Sequence, residues 1–233
     1  MSTTAQDLDA LLVSLQLTDS AFPSGFYTLS HGLEGYAQAK AVRPDTVPVL
    51  LADLLRHSAG PADATALAIA HRAALAGDWC RVVESDQRLH AARLNRELRL
   101  AATRTGRQLL DVVREAVGGA ELDRYAELVA AKQAPGTQAV AAGIAYAAAG
   151  VPVEQAVASD LFAFSASFVG AALRLRLTDH RRAQVVLRTT APVIAEVTTA
   201  AVRRDLADLG GCVPAADIMS GRHERAEARL FAS

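Results

Sequence analysis

The sequence predicts an all-α protein, a single-domain bundle of about nine or ten helices that ends in a C-terminal tail. Three observations support this fold class. Apolar residues recur at helical spacing along the 233-residue chain, and no convincing period-2 alternation lies between glycine or Asn-Gly turns. No internal repeat or Ser/Pro-rich linker divides the chain. We therefore expect one domain over residues 1–211 and a tail over residues 212–233.

Four helical stretches are predicted in the first third of the chain. The first is amphipathic, with apolar residues in the i, i+3, i+4, i+7 pattern at Leu8, Leu11, Leu12 and Leu15. The second covers about residues 27–40. Thr46 can cap the third, which carries Pro48 in its first turn. Gly60 ends this helix and Pro61 opens the fourth.

Glycines and prolines divide the rest of the chain into further helices. Residues 79–117 are rich in Arg, Glu and Leu and form one or two helices, which Gly118 and Gly119 end. Another helix covers about residues 121–134. Two long helices are expected over about residues 152–177 and 180–209.

An Ala-rich helix is predicted over residues 137–149. It places Ala139, Gly143 and Ala147 on one face. A stripe of such small residues allows the backbone of a neighbouring helix to approach closely. We therefore expect this helix to be central in the bundle.

Composition and charge exclude several classes of function. Lys and Arg total 24 and Asp and Glu total 25, so the net charge of −1 does not favour nucleic acid or an acidic membrane as a partner. Cys80 and Cys212 form neither a CxxC site nor a disulfide framework, and no secretory signal precedes them, which indicates the cytoplasm. The uncharged stretch 133–153 is interrupted by prolines and glycines, so its helical part is too short to span a bilayer.

Motifs for catalysis and for cofactor binding are missing from the sequence. There is no GxxxxGK[ST] loop, no HExxH, no GxSxG and no DDxxD. No two of the six histidines are four positions apart, and neither cysteine has a nearby histidine. We therefore expect no catalytic residue, no metal site and no cofactor in this chain.

A turn between two helices is predicted at residues 19–25. Pro23 and Gly25 shape it, and Asp19 and Ser20 can accept hydrogen bonds from backbone amides. Residues 19–34 read D-S-x-x-P-x-G-x-x-x-x-S-x-G-L-E, which resembles the N-terminal motif of the UreF family of urease accessory proteins. The matching residues are Asp19, Ser20, Pro23, Gly25, Ser30, Gly32, Leu33 and Glu34.

Two further segments resemble blocks of the same family. Residues 96–110 resemble its mid-chain helix, and residues 171–184 resemble its third block. The matching residues are Glu97, Arg99 and Gly106 in the second block, and Arg174 and Gln184 in the third. Arginines also advance at helical spacing at Arg96, Arg99, Arg107 and Arg114. These arginines form either a basic binding strip or a solvated face.

The C-terminal tail carries the most specific resemblance. Residues 214–233 are similar almost residue for residue to the family tail P-x-x-D-I-x-S-x-x-H-E-x-x-x-x-R-L-F-x-S. The tail also holds apolar residues that a merely solvated terminus has little reason to carry. We therefore expect it to bind a partner through Ile218, Met219, Arg222, His223, Glu224, Arg229, Leu230 and Phe231.

The resemblance implies a non-catalytic, all-α, homodimeric chaperone of nickel insertion in the cytoplasm. Such a protein bridges UreD (also called UreH), which contacts apo-urease, and the nickel-carrying GTPase UreG during assembly of the metallocentre. The metal and GTP sites then belong to the partners. Neither nucleic acid nor a membrane is implied as a partner.

Two alternative functions remain open at this point. The chain could be a direct GTPase-activating protein for UreG that supplies an arginine in trans, from residues 96–107 or from Arg203 and Arg204. It could also be an unrelated all-α regulator with a pocket for a small molecule.

Overall fold

Every regular element in the part of the chain that the computed structural model describes, residues 4–231, is helical. The α-helices are α1 (Ala5–Thr18), α2 (Leu33–Gln38), α3 (Val47–Leu54), α4 (Thr65–Leu75), α5 (Trp79–Ala92), α6 (Arg96–Ala116), α7 (Ala120–Ala130), α8 (Gln138–Ala148), α9 (Val153–Arg174), α10 (His180–Ala201) and α11 (Pro214–His223). A π-helical segment, Leu55–Ala64, joins α3 to α4 in one rod. When α3, the π-helical segment and α4 are counted as one continuous helix, residues 4–231 contain ten separate helices. This confirms the predicted all-α bundle.

The predicted helix break at Gly60 and Pro61 is wrong, because the π-helical segment carries the helix through both residues. Pro61 has no N–H to donate to the preceding turn, and within the same segment the hydroxyl of Thr65 donates to the Gly60 carbonyl oxygen at 3.0 Å. A Cβ on Gly60 would lie 2.5 Å from the Leu55 carbonyl oxygen, so this turn requires glycine. The predicted cap also differs, since the Thr46 hydroxyl donates to the Arg43 carbonyl oxygen and does not cap α3.

Three other predicted helical ranges begin or end at different residues in the structure. The predicted helix over 27–40 is reduced to α2 and a 3-10 turn, Phe26–Thr28, because His31 and Gly32 adopt positive φ angles of 53° and 84°. Residues 79–117 form two helices, and the Asn95 side chain accepts a hydrogen bond from the Leu98 amide at the start of α6. The predicted helix over 180–209 ends at Ala201.

The small-residue helix α8 lies at the centre of the bundle, as predicted. Its residues from Gln138 to Ala147 are all buried, and it packs between α4 and α6. A Cβ on Gly143 would lie only 2.5 Å from the Leu67 carbonyl oxygen of α4. The close approach of these two backbones therefore depends on the stripe of small residues.

Helix α9 is long and apolar enough to span a membrane by length and composition, and half of its apolar window is buried within the bundle. It packs against α10 and α1. This packing accounts for the apolar character of α9 as that of a core helix.

Helix α1 forms where the sequence predicts it, but its leucine stripe points outward. Ala10, Ser14 and Leu17 are buried on the side that faces the bundle. The four stripe residues are 44–62% exposed: Leu8, Leu11, Leu12 and Leu15.

Gly106 of the second family block lies where α6 touches the segment before α8. A Cβ at this position would overlap the Gly136 carbonyl oxygen and lie 2.5 Å from the Thr137 carbonyl carbon. We expect Gly106→Ala to lower the free energy of unfolding by about 2 kcal/mol, because overpacking against backbone outweighs the gain in helix propensity. Gly170→Ala on α9 is the matched control, since no atom of the described part of the chain lies within 4 Å of its added Cβ. Urea denaturation that shows both variants equally stable would contradict this prediction.

Candidate functional site

The tail folds back onto the domain. Helix α11 packs against α2, and a Cβ on Gly35 would lie 2.5 Å from the Met219 carbonyl oxygen. The Asn95 amide nitrogen donates to the Ser220 hydroxyl oxygen at 2.9 Å, which fixes α11 to the start of α6. The tail helix is therefore part of the packed structure of this chain.

His223, the last residue of α11, lies between two buried carboxylates. Its Nε2 is 2.8 Å from Oε2 of Glu34, and its Nδ1 is 3.1 Å from Oε2 of Glu97. All three side chains are at least nine-tenths buried. Each ring nitrogen thus lies within hydrogen-bond distance of a carboxylate oxygen, so the imidazole ring links Glu34 to Glu97.

The same two carboxylates also hold the end of the tail. Oε1 of Glu97 accepts a hydrogen bond from Arg229 at 2.9 Å. Glu34 accepts hydrogen bonds from the amides of Leu230 at 2.8 Å and Phe231 at 3.0 Å. The two carboxylates thus face one imidazole ring, one guanidinium group and two backbone amides, and these contacts compensate for their burial.

The Arg174 side chain lies between two aromatic rings. Its Cζ is 4.0 Å from the ring centroid of Tyr27 and 4.3 Å from that of Phe231. One of its terminal nitrogens is buried and has no hydrogen-bond partner within residues 4–231, and the two ring faces supply the compensating cation–π attraction. Arg174 of α9 therefore contacts both the 3-10 turn Phe26–Thr28 and the tail.

The four segments that share the family pattern meet in this cluster. Glu34 comes from the first segment, Glu97 from the second and Arg174 from the third, while the tail supplies His223 and Arg229. We call these five side chains, with Phe231, the tail-docking cluster.

Comparison with known proteins gives the same assignment. Residues 42–191 match the family model UreF, more than half of the chain. The chain belongs to the UreF family. It is 30% identical to urease accessory protein UreF 2 of Brucella canis over 99% of this chain and 95% of that protein. It is 33% identical to urease accessory protein UreF of Paenarthrobacter aurescens over 94% of this chain and 96% of that protein.

The other residues of the UreF pattern shape the backbone around the cluster. Asp19 accepts a hydrogen bond from the Ala21 amide at 2.8 Å, and the hydroxyl of Ser30 accepts one from the Glu34 amide at 3.4 Å. Gly25 and Gly32 have positive φ angles of 82° and 84°. Leu33 is fully buried, whereas Ser20, Pro23 and Gln184 are exposed away from the cluster's contacts.

The arginines of the mid-chain block differ in their contacts: some bond to other residues of the chain and others lie free on the surface of the described structure. Arg99 donates to the carbonyl oxygens of Arg93 and Leu94 at the bend between α5 and α6. Arg114 pairs with Asp123 at 2.8 Å. Arg96 is exposed and has no hydrogen bond or ion pair among residues 4–231. Part of this row of arginines is thus occupied by contacts within the chain.

The residues predicted to bind a partner fall into two groups. His223 and Phe231 are 1% and 5% exposed, so in this structure the domain itself covers them. Ile218 and Leu230 are 56% and 68% exposed. Arg222 and Arg229 are exposed, and Met219 and Glu224 are half-buried. Partner binding therefore stays a prediction, and the exposed members are the ones available for it.

A cavity of about 110 Å³ with a mainly apolar lining lies beneath α11. Asp63, Asp160 and His31 line it, and none of them was singled out by a sequence motif. Burial lowers the pKa of His31 to about 3, with repulsion from Arg93 and Arg174 as further causes, so this ring is neutral. Burial raises the pKa of the Asp160 carboxyl to about 7, although a hydrogen bond from the Gln138 side chain at 2.9 Å acts to lower this pKa.

Asp160 makes the stability of the fold depend on pH. Its unfolded-state pKa is near 3.9, so between about pH 4 and pH 7 the folded state holds a proton that the unfolded state has lost. The free energy of unfolding should therefore fall as pH rises through this window, by up to about 1.4 kcal/mol per pH unit from this group. Urea denaturation across the window should show a flatter profile for Asp160→Asn than for the wild type or the exposed control Asp111→Asn. Parallel profiles for all three would contradict the assignment.

Another buried carboxylate, Asp86, organises the start of α8. It accepts hydrogen bonds from the Tyr125 hydroxyl at 2.7 Å, the Gly136 amide at 2.8 Å, and the amide and hydroxyl of Thr137 at 3.1 and 2.5 Å. No sequence motif points to Asp86, because its partners lie 39 to 51 positions away.

Groups of three or more His, Cys, Asp or Glu side chains that could hold a metal ion are not found within residues 4–231. The cluster chemistry instead consists of ion pairs, amide hydrogen bonds and ring stacking. Such chemistry can fix one conformation of a protein surface.

Proposed function

We propose that this chain is a non-catalytic chaperone of nickel insertion that bridges UreD-bound apo-urease and the GTPase UreG in the cytoplasm. One observation carries the proposal: the residues of the UreF pattern converge on a cluster that docks the tail. These polar and charged groups hydrogen-bond to one another. The arrangement supports a role in presenting a protein surface.

The tail is the part of this surface that we assign to UreD. With the tail docked, Ile218 and Leu230 project outward and Arg222 is exposed. Two apolar anchors beside a cation are a combination that protein interfaces use. The docked cluster holds them in place before binding, which lowers the entropic cost of association.

A homodimer would let one scaffold hold two copies of each partner. The outward side of α9 supports this part of the proposal, because Phe162 is 43% exposed and is flanked by the half-buried Ala163 and Ala166. These side chains are uncharged, and small residues allow a two-fold related copy to approach closely. Light scattering should give about twice the chain mass of 24.5 kDa at micromolar concentration. A clean monomer would contradict the dimer.

Direct activation of UreG is the second candidate function. Arg96 favours it, since this exposed arginine has no hydrogen bond or ion pair among the described residues. An arginine supplied in trans accelerates GTP hydrolysis by roughly 10³–10⁵-fold. A GTPase assay of UreG should therefore lose that acceleration with Arg96→Ala and keep it with the exposed control Arg188→Ala. If adding the wild-type chain does not change the rate of GTP hydrolysis by UreG, direct activation is wrong and the bridging role remains.

Binding experiments with purified proteins test the bridging proposal. We expect the wild-type chain to bind UreD, and the resulting complex to bind UreG. A double variant, Ile218→Gln with Leu230→Gln, should weaken UreD binding at least tenfold, because both side chains are exposed and their loss leaves the docked cluster intact. The control is Leu75→Gln, which changes a leucine that is 61% exposed on α4. Equal affinity of the double variant and the control for UreD would contradict the assigned surface.

A further inference from the structure

The cavity beneath α11 is large enough for a small organic molecule. Its volume is about 110 Å³. Cavities with apolar walls hold little water, and one of about 150 Å³ can bind benzene. The apolar side chains of this wall include those of Phe26, Leu29, Leu54, Leu98, Leu161 and Phe164. The lining therefore suits a ligand with a short hydrocarbon body.

One buried carboxylate in the wall of this cavity lacks a counter-ion. Asp160 is 6% exposed. Its Oδ1 accepts a hydrogen bond from the Gln138 side chain at 2.9 Å, and Asp160 has no ion pair and no other hydrogen bond within residues 4–231. Burial raises the pKa of Asp160 to about 7, and the nearby Asp63 carboxylate raises it further. The second oxygen, Oδ2, is therefore available to a hydrogen-bond donor on a ligand.

The charges around the cavity favour a cation as that ligand. Asp63, Asp160 and Asp217 line it, and among the described residues Arg93 is the one Lys or Arg side chain in the lining. The Arg93 guanidinium pairs with Asp63, so it does not neutralise Asp160. His31 is neutral, because burial lowers its pKa to about 3. A positive charge beside Asp160 would compensate for the cost of keeping its carboxylate ionised in the interior.

A metal ion does not fit this lining. Groups of three or more His, Cys, Asp or Glu side chains that could hold a metal ion are not found in the part of the chain that the structure describes. A hard cation also needs several oxygen ligands, where this wall offers mainly hydrocarbon. An organic ammonium needs one carboxylate for its charge and can use the apolar wall for the rest of its surface.

We propose that the cavity beneath α11 binds a small organic amine in its ammonium form, with the ammonium group on Oδ2 of Asp160 and the hydrocarbon body against the apolar wall. This site goes beyond the bridging role, because none of its contacts involves UreD or UreG. Helix α11 forms part of the wall through Ala216, Asp217 and Ser220. The bound amine therefore contacts α9 and α11 together.

Calorimetric titration of the full-length chain with isobutylammonium chloride tests the site. At about pH 8 the Asp160 carboxylate, with its pKa of about 7, is mostly ionised. We expect the wild type to bind isobutylammonium with a dissociation constant of about 1 mM or tighter. Asp160→Asn keeps the shape of the side chain but removes its charge, so it should bind at least about tenfold more weakly. The control Asp111→Asn, on the exposed side of α6, should bind as the wild type does.

Two other compounds separate the role of the charge from that of the apolar wall. Isobutanol has the same hydrocarbon body without the charge, and ammonium chloride has the charge without the body. Each should bind at least about tenfold more weakly than isobutylammonium. Ala101→Leu leaves Asp160 in place and fills the cavity from α6, so it should abolish binding of isobutylammonium.

Several results would overturn the inference. The site is wrong if the wild type binds no isobutylammonium up to about 10 mM. It is also wrong if Asp160→Asn and Ala101→Leu, each shown to be folded by circular dichroism, bind the ammonium as tightly as the wild type does. Equal binding of isobutanol would contradict the role of the charge, and equal binding of ammonium chloride would contradict the role of the apolar wall.

Discussion

Replacing His223 by alanine should release the tail from the domain. The variant leaves the buried carboxylates of Glu34 and Glu97 facing each other without the imidazole between them. Leaving a buried polar group without its partner costs about 1–3 kcal/mol, more for a charged group, and undocking the tail is the easiest way to rehydrate both carboxylates. We therefore expect the tail to detach while the remaining helices stay folded.

Hydrogen exchange measures this release directly. The amides of Leu230 and Phe231 donate to Glu34, so they should be protected in the wild type and should exchange freely in His223→Ala. Arg225→Ala is the control, because Arg225 is exposed on the same tail and pairs with no acidic side chain among the described residues. Equal protection of the two amides in His223→Ala and in the control would show that His223 does not hold the tail.

Replacing Asp86 by asparagine should destabilise the whole bundle. Four donors converge on this fully buried carboxylate, and the asparagine amide would turn an N–H₂ group towards some of them. We expect a loss of about 3–5 kcal/mol in the free energy of unfolding. For a chain of this length that corresponds to a fall of roughly 6–20 °C in melting temperature.

Two other variants calibrate the Asp86 prediction. Tyr125→Phe removes one of the four donors and should cost about 1–2 kcal/mol. Asp111→Asn alters an exposed aspartate on α6 and should leave the melting temperature unchanged. Calorimetry that finds Asp86→Asn as stable as Asp111→Asn would refute the role given to Asp86.

Local pattern predicted the helices and the central position of α8, because both follow from residues close in sequence. The small-residue face around Gly143 is an example, since three positions at helical spacing were enough to identify it. Pro61 shows the limit of such patterns. A proline normally interrupts a helix, but here a π-helical segment contains Pro61 and connects α3 to α4 without a break.

The candidate site could be predicted only in parts. Resemblance to the family marked Glu34, Glu97 and Arg174 in separate blocks, but His223 meets Glu34 across 189 positions, a distance that no local periodicity encodes. The pattern of Leu8 and Leu12 predicts an apolar face on α1 but does not reveal whether this chain covers it. Asp160 stands in an apolar helix, and only the folded structure reveals the cavity that it lines.

The mass of the complex formed by the chain, UreD and UreG tests the central claim most directly. Light scattering on a gel-filtration column should show all three proteins in one peak, with two copies of each, when they are mixed in equal amounts. His223→Ala should release UreD and UreG from that peak, because its detached tail no longer presents the UreD surface. Elution of UreG apart from the wild-type chain and UreD, with and without GTP, would contradict the bridging account.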